Sequence, residues 1–142
     1  MYFQVGVHGW NHHVMTKLPK EGLHHSIKQT SKTIYEAINF SPLLVRPPYG
    51  NTNAQVNEYI KGTENMKVIL WSLDSRDYVL TNSDDITKNI YENIKPGDII
   101  LCHDAYQHTV DALEVLIDKL HELGYELLTV SQMLSFPDDS PH

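Results

Sequence analysis

Short apolar runs alternate with stretches of helical periodicity along the chain. Five runs have the length and apolar content of β-strands: residues 3–7, 43–45, 67–73, 98–102 and, more weakly, 126–128. Three longer stretches repeat apolar residues every three or four positions: 23–38, 86–94 and 110–120. Apolar residues spaced three or four positions apart lie on one face of a helix. The alternation predicts an α/β fold in which helices cover a parallel sheet.

Glycine and proline mark the ends of these elements. Gly62 and Gly124 stand where helical patterns stop, so each is predicted to end a helix. The Pro96-Gly97 pair predicts a turn immediately before the run at 98–102. These signals divide the chain into short strand–helix units without a linker or an internal repeat.

Composition excludes several classes of protein. The 142 residues are 41% hydrophobic, which suits one folded domain, predicted at 1–136 and followed by a tail at 137–142. The net charge of -7 disfavours binding to nucleic acid or to an anionic membrane surface. No apolar stretch approaches the roughly 18 residues of a membrane span, and no targeting signal is recognisable. The single Cys102 leaves the redox compartment open.

Polar residues follow four successive apolar runs, at the point where each predicted strand ends. They are His8, Arg46, Asp74 and His103. The carboxyl ends of parallel strands meet at one edge of a sheet, which is where βα barrels gather their catalytic groups. Each of these residues alone is more typical of an ordinary loop. Their recurrence after four strands predicts one active site.

The first cluster holds a pair of histidines with metal-ligand spacing. His8 and His12 are four residues apart, so on a helical turn their rings would lie on one face and could share a metal ion. His13 is predicted to point elsewhere. In a chain with nine histidines this spacing alone is a weak signal.

The second cluster, Arg46-Pro-Pro-Tyr-Gly50, is built for rigidity. Two prolines stiffen the strand exit, and Gly50 permits a tight turn. A fixed backbone amide at Tyr49 suits an oxyanion, and a fixed guanidinium at Arg46 suits a carboxylate. The alternative is a proline-rich turn that carries an ordinary arginine.

The last two clusters supply a carboxylate and an imidazole. We expect Asp77 to lie against His103, hold its tautomer and allow it to act as a general acid. Asp104 is predicted to cap the following helix. Cys102 and His103 are adjacent on a strand and must face opposite sides, which disfavours a Cys–His nucleophilic pair.

Taken together, these motifs resemble those of the polysaccharide deacetylase family, the carbohydrate esterases with a NodB homology domain. His8-Gly-Trp-Asn-His12 is similar to the metal-binding motif of that family, and Arg46-Pro-Pro-Tyr-Gly50 to its third motif. Asp74-Ser-Arg-Asp77-Tyr78 matches the fourth motif, and Leu101-Cys-His103 the fifth. With the stretch that begins at Thr109, the resemblance covers nearly the whole chain.

The resemblance implies a distorted (β/α) barrel in which a divalent metal activates water for attack on an N-acetyl carbonyl. Zinc is the expected ion, with cobalt or manganese as alternatives. His8 and His12 would be metal ligands. Arg46 would orient the catalytic base, and the backbone amide of Tyr49 would help to stabilise the oxyanion.

The resemblance assigns the remaining roles to the second half of the chain. Asp77 would tune His103, and His103 would protonate the leaving sugar amine. Leu101 would line the pocket for the acetyl methyl group. Tyr78 stands where the family often has tryptophan and would form one wall of the substrate groove.

Two departures from the family pattern are visible. Gly9 replaces the usual serine or threonine beside the first histidine. The Asp-Asp pair of the first motif, source of the base and of a third metal ligand, has no match, because Asp84-Asp85 and Asp138-Asp139 follow no apolar strand. We therefore expect an N-terminally incomplete domain that lacks its first strand and helix, binds metal weakly and shows little or no hydrolysis. A second copy of the chain could cover the exposed sheet edge.

Three functions are compatible with these residues. The first is removal of N-acetyl groups from amino sugars of a cell-wall polysaccharide, either peptidoglycan or a chitin-like polymer, at an extracellular or cell-surface location. The second is a non-catalytic module of the same fold that binds a glycan or a metal. The third is a deformylase of a lipid-linked amino sugar, suggested by the His-x-Trp-x-His-His wording of the first cluster.

Overall fold

The computed structural model of the chain describes residues 3–135, so the predicted tail at 137–142 lies outside the described residues. The described residues form two compact units, one extending to Leu70 and the other beginning at Trp71. Within this part of the chain, every helix is too short or too polar to cross a lipid bilayer.

The first unit contains three parallel segments and two long helices. Its elements are a 3-10 turn at Met15–Lys17, α1 at Lys20–Ile38, β1 at Leu44–Val45, a 3-10 turn at Pro48–Gly50, α2 at Ala54–Glu64 and β2 at Lys67–Val68. Strand β1 pairs in parallel with β2, in the register Leu44 to Lys67 and Val45 to Val68. Val7 forms an isolated parallel bridge to Val45 on the other side. β1 is therefore the central segment, and the residues that follow Val7 and Val45 leave at the same edge.

The core of this unit lies between the strands and the apolar faces of α1 and α2. Its buried residues are each at most 6% exposed: Val7, Met15, Leu23, Ile27, Val45, Val56, Ile60 and Met66. Burial of an aliphatic side chain of this size stabilises a fold by roughly 1.5–3 kcal/mol. This core holds the loop after Val7 and the loop after Val45 in fixed positions.

The second unit has a two-stranded parallel pair covered by helices. Its elements are β3 at Leu73–Asp74, α3 at Ser83–Asn93, β4 at Ile100–Leu101, α4 at Gln107–Glu122 and α5 at Val130–Met133. β3 pairs with β4 in the register Leu73 to Ile100 and Asp74 to Leu101. Helices α3 and α4 pack on each other through a fully buried set: Ile86, Ile90, Ala112, Leu116 and Leu120.

The predicted α/β alternation is confirmed, whereas several predicted strand limits are wrong. The runs at 43–45 and 98–102 each contain a two-residue strand, but the run at 3–7 contributes only the bridge at Val7, and 126–128 forms no strand. The run at 67–73 divides into β2 and β3. Its first part donates from Lys67 and Ile69 to residues 43 and 45, whereas Leu73 donates to Ile99. Alternation of apolar residues does not reveal that a chain changes its pairing partner.

The three predicted helices are confirmed as α1, α3 and α4. Gly124 adopts a left-handed φ of 83° just after α4, and Gly97 adopts 87° in the predicted turn. Gly62 is different, because it lies inside α2, and the residue that follows this helix is Asn65, with a left-handed φ of 51°. Asparagine tolerates this conformation, so it replaces the expected glycine. Asp104 does not cap α4, since the residue before that helix is Tyr106.

Candidate active site

The rings of His8 and His12 meet in the first unit. His8 follows the bridged Val7, and its Nδ1–H donates to the carbonyl oxygen of Arg46 at 2.6 Å. With the proton on Nδ1, Nε2 is the unprotonated nitrogen of the His8 ring. The Nε2 atoms of His8 and His12 lie 3.1 Å apart. Two nitrogens bound at about 2.05 Å to a tetrahedral zinc would be roughly 3.3 Å apart, so the pair is close to the spacing a metal requires.

The two histidines converge without the helical turn predicted from their spacing. Gly9 and His12 adopt left-handed φ angles of 82° and 56°, and the chain bends at Trp10 and Asn11. A Cβ at Gly9 would approach the Ser26 hydroxyl oxygen to 3.3 Å. The left-handed backbone and this close approach together favour glycine at the position where the family usually has a hydroxyl residue. His13 is exposed beside the pair.

The Arg46–Gly50 segment is anchored through its backbone. The Arg46 N–H donates to the carbonyl of Val7 at 2.9 Å, and its Nη2 donates to the carbonyl of Leu70 at 3.4 Å. Pro47 and Pro48 are buried, and Tyr49 then adopts a left-handed φ of 60°. The Tyr49 ring is 68% exposed and meets the His12 ring edge to face at 4.8 Å. The segment therefore contacts both histidines, through the Arg46 carbonyl and the Tyr49 ring.

Asp77 and His103 form a hydrogen-bonded pair in the second unit, as the sequence predicts. Asp77 is 1% exposed, and its Oδ1 lies 2.7 Å from His103 Nδ1. Its Oδ2 accepts the His103 backbone N–H at 2.6 Å and the Thr109 hydroxyl at 3.0 Å. Burial raises the pKa of the Asp77 carboxyl, but the donors from His103 and Thr109 outweigh it and hold this pKa below its usual value. Asp77 is therefore an anion at neutral pH.

Because Nδ1 of His103 is hydrogen-bonded to Asp77, Nε2 is the ring nitrogen that could act on a substrate. The His103 side chain is 40% exposed, so this nitrogen belongs to a ring that a substrate can reach. The rings of Tyr78 and Tyr106 each meet it edge to face, at 5.8 Å and 6.4 Å. The Tyr78 hydroxyl donates to Asp74 Oδ2 at 2.9 Å, and this hydrogen bond raises the pKa of Tyr78. Exposed aromatic rings thus border the imidazole.

Leu101 lies in β4 and is 9% exposed. Its carbonyl oxygen accepts the N–H of Ser75 at 3.1 Å, which fixes the strand immediately before His103. Its assigned place in an acetyl pocket stays a prediction, as do the catalytic and metal roles of the other named residues.

Sequence reasoning missed two contacts to Asp77 from the start of α4. His108 is half-buried, and its Nε2–H donates to the Asp77 carbonyl at 2.9 Å. Its ring stacks on Tyr106 at 5.1 Å and 14°. Thr109 is 1% exposed and reaches the carboxylate itself. Their position in the sequence could have indicated these contacts, because both residues lie in the first turn of the helix that follows the His103 loop.

The histidine pair offers donor atoms that suit a divalent metal ion. Among residues 3–135, no three histidine, cysteine, aspartate or glutamate side chains cluster closely enough to form a complete site. His8 and His12 nevertheless offer two imidazole nitrogens, a donor type that suits zinc and neighbouring transition metals. A carbonyl bonded to Nδ1 of a metal-binding histidine is also the usual way of orienting such a ligand. The residues present fit two of the positions around a divalent metal.

Comparison with known proteins identifies relatives that match most of the chain. Residues 2–68 match the family model described as polysaccharide deacetylase. Peptidoglycan-N-acetylglucosamine deacetylase PgdA of Listeria monocytogenes is 33% identical over 130 residues, covering 92% of this chain and 27% of that protein. Peptidoglycan-N-acetylmuramic acid deacetylase PdaC of Bacillus subtilis is 35% identical with the same coverage. The chain thus spans about a quarter of the length of these relatives.

Solved structures show the same fold. The structure of PdaC from Bacillus subtilis is 34% identical with a TM-score of 0.83, covering 90% of this chain and 61% of that chain. A protein of Bacillus anthracis described as a family 4 carbohydrate esterase pseudoenzyme is 28% identical with a TM-score of 0.84, covering 91% and 45%. These similarities confirm the predicted deacetylase type of α/β fold.

Proposed function

We propose that the chain is a member of the polysaccharide deacetylase family and that its residues take part in metal-dependent hydrolysis of N-acetyl groups on amino sugars of a cell-wall polysaccharide. Peptidoglycan is the proposed polymer, since PgdA and PdaC are both named for it, and chitin-like oligosaccharides come second. The observation that carries the proposal is the meeting of His8 and His12 at 3.1 Å. Such a polymer implies an extracellular or cell-surface location.

His8 and His12 would hold the metal, which we propose to be zinc, with cobalt or manganese as alternatives. A divalent ion bound there supplies Lewis-acid chemistry toward a carbonyl oxygen or a water molecule. The Arg46 carbonyl keeps the His8 proton on Nδ1, so that Nε2 is the nitrogen proposed to bind the metal. The Tyr49 ring packs against His12 and restricts its rotation.

His103 is the proposed general acid. Its Nδ1–H is held by Asp77, so Nε2 is the atom that can carry a proton to the departing amine. Protonation matters because an amine leaves a tetrahedral intermediate far more readily than its anion.

The other residues would bind and orient the substrate. The Tyr49 backbone amide is proposed to donate to the developing oxyanion, and the Arg46 guanidinium to orient a carboxylate base. Leu101 is proposed to contact the acetyl methyl group. Tyr78 would form a wall of the sugar site, where its exposed ring borders His103.

The proposal is tested with a chimaera in which the aligned segment of this chain replaces the corresponding 130-residue segment of PdaC. We expect it to release acetate from N-acetylated peptidoglycan in the presence of zinc. The substitution His103→Asn should lower kcat by a factor of roughly 10² to 10⁴, the usual contribution of a positioned general acid. Acetate release by liquid chromatography measures both.

His121→Asn is the matched control, because this exposed histidine lies in the last turn of α4 and the proposed mechanism does not use it. Its activity should equal that of the unmodified chimaera. A folded chimaera without acetate release, or equal activities of the two histidine variants, would contradict the proposed function.

A second candidate is a non-catalytic module that binds a glycan or a metal. It is favoured by the similarity to the family 4 pseudoenzyme and by the two-histidine donor set in residues 3–135. The chimaera separates the two candidates, since a module that has lost its chemistry would bind peptidoglycan but release no acetate.

A further inference from the structure

We propose that Thr109 is a positioning residue for this reaction: its buried hydroxyl fixes the orientation of the Asp77 carboxylate, and through it the ring of His103. This inference rests on the proposed function for its consequence in catalysis. The effect of Thr109 on the orientation of Asp77 depends only on the contacts of Thr109. The residue lies in the first turn of α4, at 1% exposure, and its Oγ1 is 3.0 Å from Asp77 Oδ2.

The direction of this hydrogen bond is settled by chemistry. Asp77 is ionised, so its oxygens can only accept, and the hydroxyl of Thr109 must donate. Threonine is branched at Cβ and has few rotamers, so the buried helix position holds the hydroxyl in place. The Thr109 N–H is itself bonded to the Tyr106 carbonyl at 3.1 Å. The donor is therefore fixed by backbone and side chain.

The two carboxylate oxygens of Asp77 accept hydrogen bonds from different donors. Oδ2 accepts the Thr109 hydroxyl and the His103 backbone N–H, whereas Oδ1 accepts the His103 ring. Two donors on Oδ2 prevent the carboxylate from turning about its last bond. Oδ1 is thus kept in line with Nδ1 of His103, which keeps the other ring nitrogen directed away from Asp77.

Thr109 can be substituted without removing any of the titratable residues around Asp77. His103 bonds the carboxylate, while His108 bonds the main-chain carbonyl of Asp77 at 2.9 Å. Tyr78, the next residue in the chain, bonds Asp74 instead. Removing the Thr109 hydroxyl therefore changes the solvation of one oxygen without removing a charge.

The experiment compares three variants of the 142-residue chain by NMR. Thr109→Val keeps the shape and removes the donor, Thr109→Ser keeps the hydroxyl, and Thr109→Ala removes both hydroxyl and methyl. The carboxyl carbon of Asp77 is titrated with pH, and the exchange of the His103 Nδ1–H with solvent is measured. We expect Thr109→Val to move the Asp77 midpoint upward and to speed this exchange about tenfold, while Thr109→Ser behaves as the parent.

Unchanged titration and exchange in Thr109→Val would overturn the proposal. If Thr109→Val does not fold, Thr109→Ala is compared with Thr109→Ser, since that pair differs by the hydroxyl alone, and equal behaviour of the two would overturn it equally. The measurement needs no catalysis. An inactive chimaera would thus contradict the proposed function while leaving the role of Thr109 in place.

Discussion

Individual residues carry unusual backbone and electrostatic states in the motifs described above. His12, Tyr49 and Arg76 adopt left-handed φ angles of 56°, 60° and 59°, a region that costs non-glycine residues free energy. Such strain persists where surrounding structure fixes it, and it concentrates at functional sites. Asp77 is a second case, a carboxylate buried to 1% exposure that remains charged because three donors surround it.

The charge on Asp77 makes stability depend on pH. Its pKa in the folded chain lies below the usual value of 3.8, so the unfolded chain binds the proton more readily. The stabilisation is fully present above about pH 4 and is lost as the pH falls through the lower, folded pKa. Asp77→Asn should lower the free energy of unfolding by about 2 kcal/mol at pH 7, and by much less at pH 2.5.

Chemical denaturation at both pH values measures this difference. Asp104→Asn is the control, because Asp104 is exposed in the loop after β4, next to His103, and should change stability by less than about 0.5 kcal/mol. Equal destabilisation by Asp77→Asn at pH 7 and pH 2.5 would contradict the assigned ionisation.

Among the elements of residues 3–135, helices α1, α3 and α4 were predictable, whereas the limits of several strands were not. The periodicity of Leu23, Ile27 and Ile34 depends on which face of one helix is buried, and that is local information. The division of residues 67–73 depends on two different partners, at residues 43–45 and 99–101, which local sequence does not encode. The same holds for the His8–His12 loop, where the spacing was informative but the conformation was set by Gly9 and Ser26.

Helix α3 is stabilised by the side chain of Asn82, the residue that precedes it. The side chain of Asn82 accepts from the N–H groups of Asp84 and Asp85 at 2.7 and 3.4 Å, which satisfies donors that the helix leaves open. Asn82→Ala should reduce the free energy of unfolding by about 1 kcal/mol, and Asn82→Ser should retain most of it. Denaturant titration with Glu92→Ala, an exposed change in the same helix, supplies the reference. A loss equal to that of Glu92→Ala would show that the cap contributes nothing.

At the scale of the whole molecule, the matched motifs are shared between two units. The histidine pair and the Arg46 segment belong to the first unit, and the Asp77–His103 pair belongs to the second. The sequence predicted both pairs because their residues follow strands or resemble family motifs. It missed His108 and Thr109 because a histidine and a threonine at the start of a helix carry no chemical signal without the contact to Asp77.

We propose that His8 and His12 are protein ligands of a divalent metal, and zinc titration of the 142-residue chain tests this assignment. We predict weak binding of one zinc ion, reported by competition with a chromogenic chelator. The affinity should fall at least about tenfold in His8→Ala and His12→Ala and stay unchanged in His13→Ala, an exposed neighbour. Equal zinc affinity in all three variants would contradict the assignment of His8 and His12 as metal ligands.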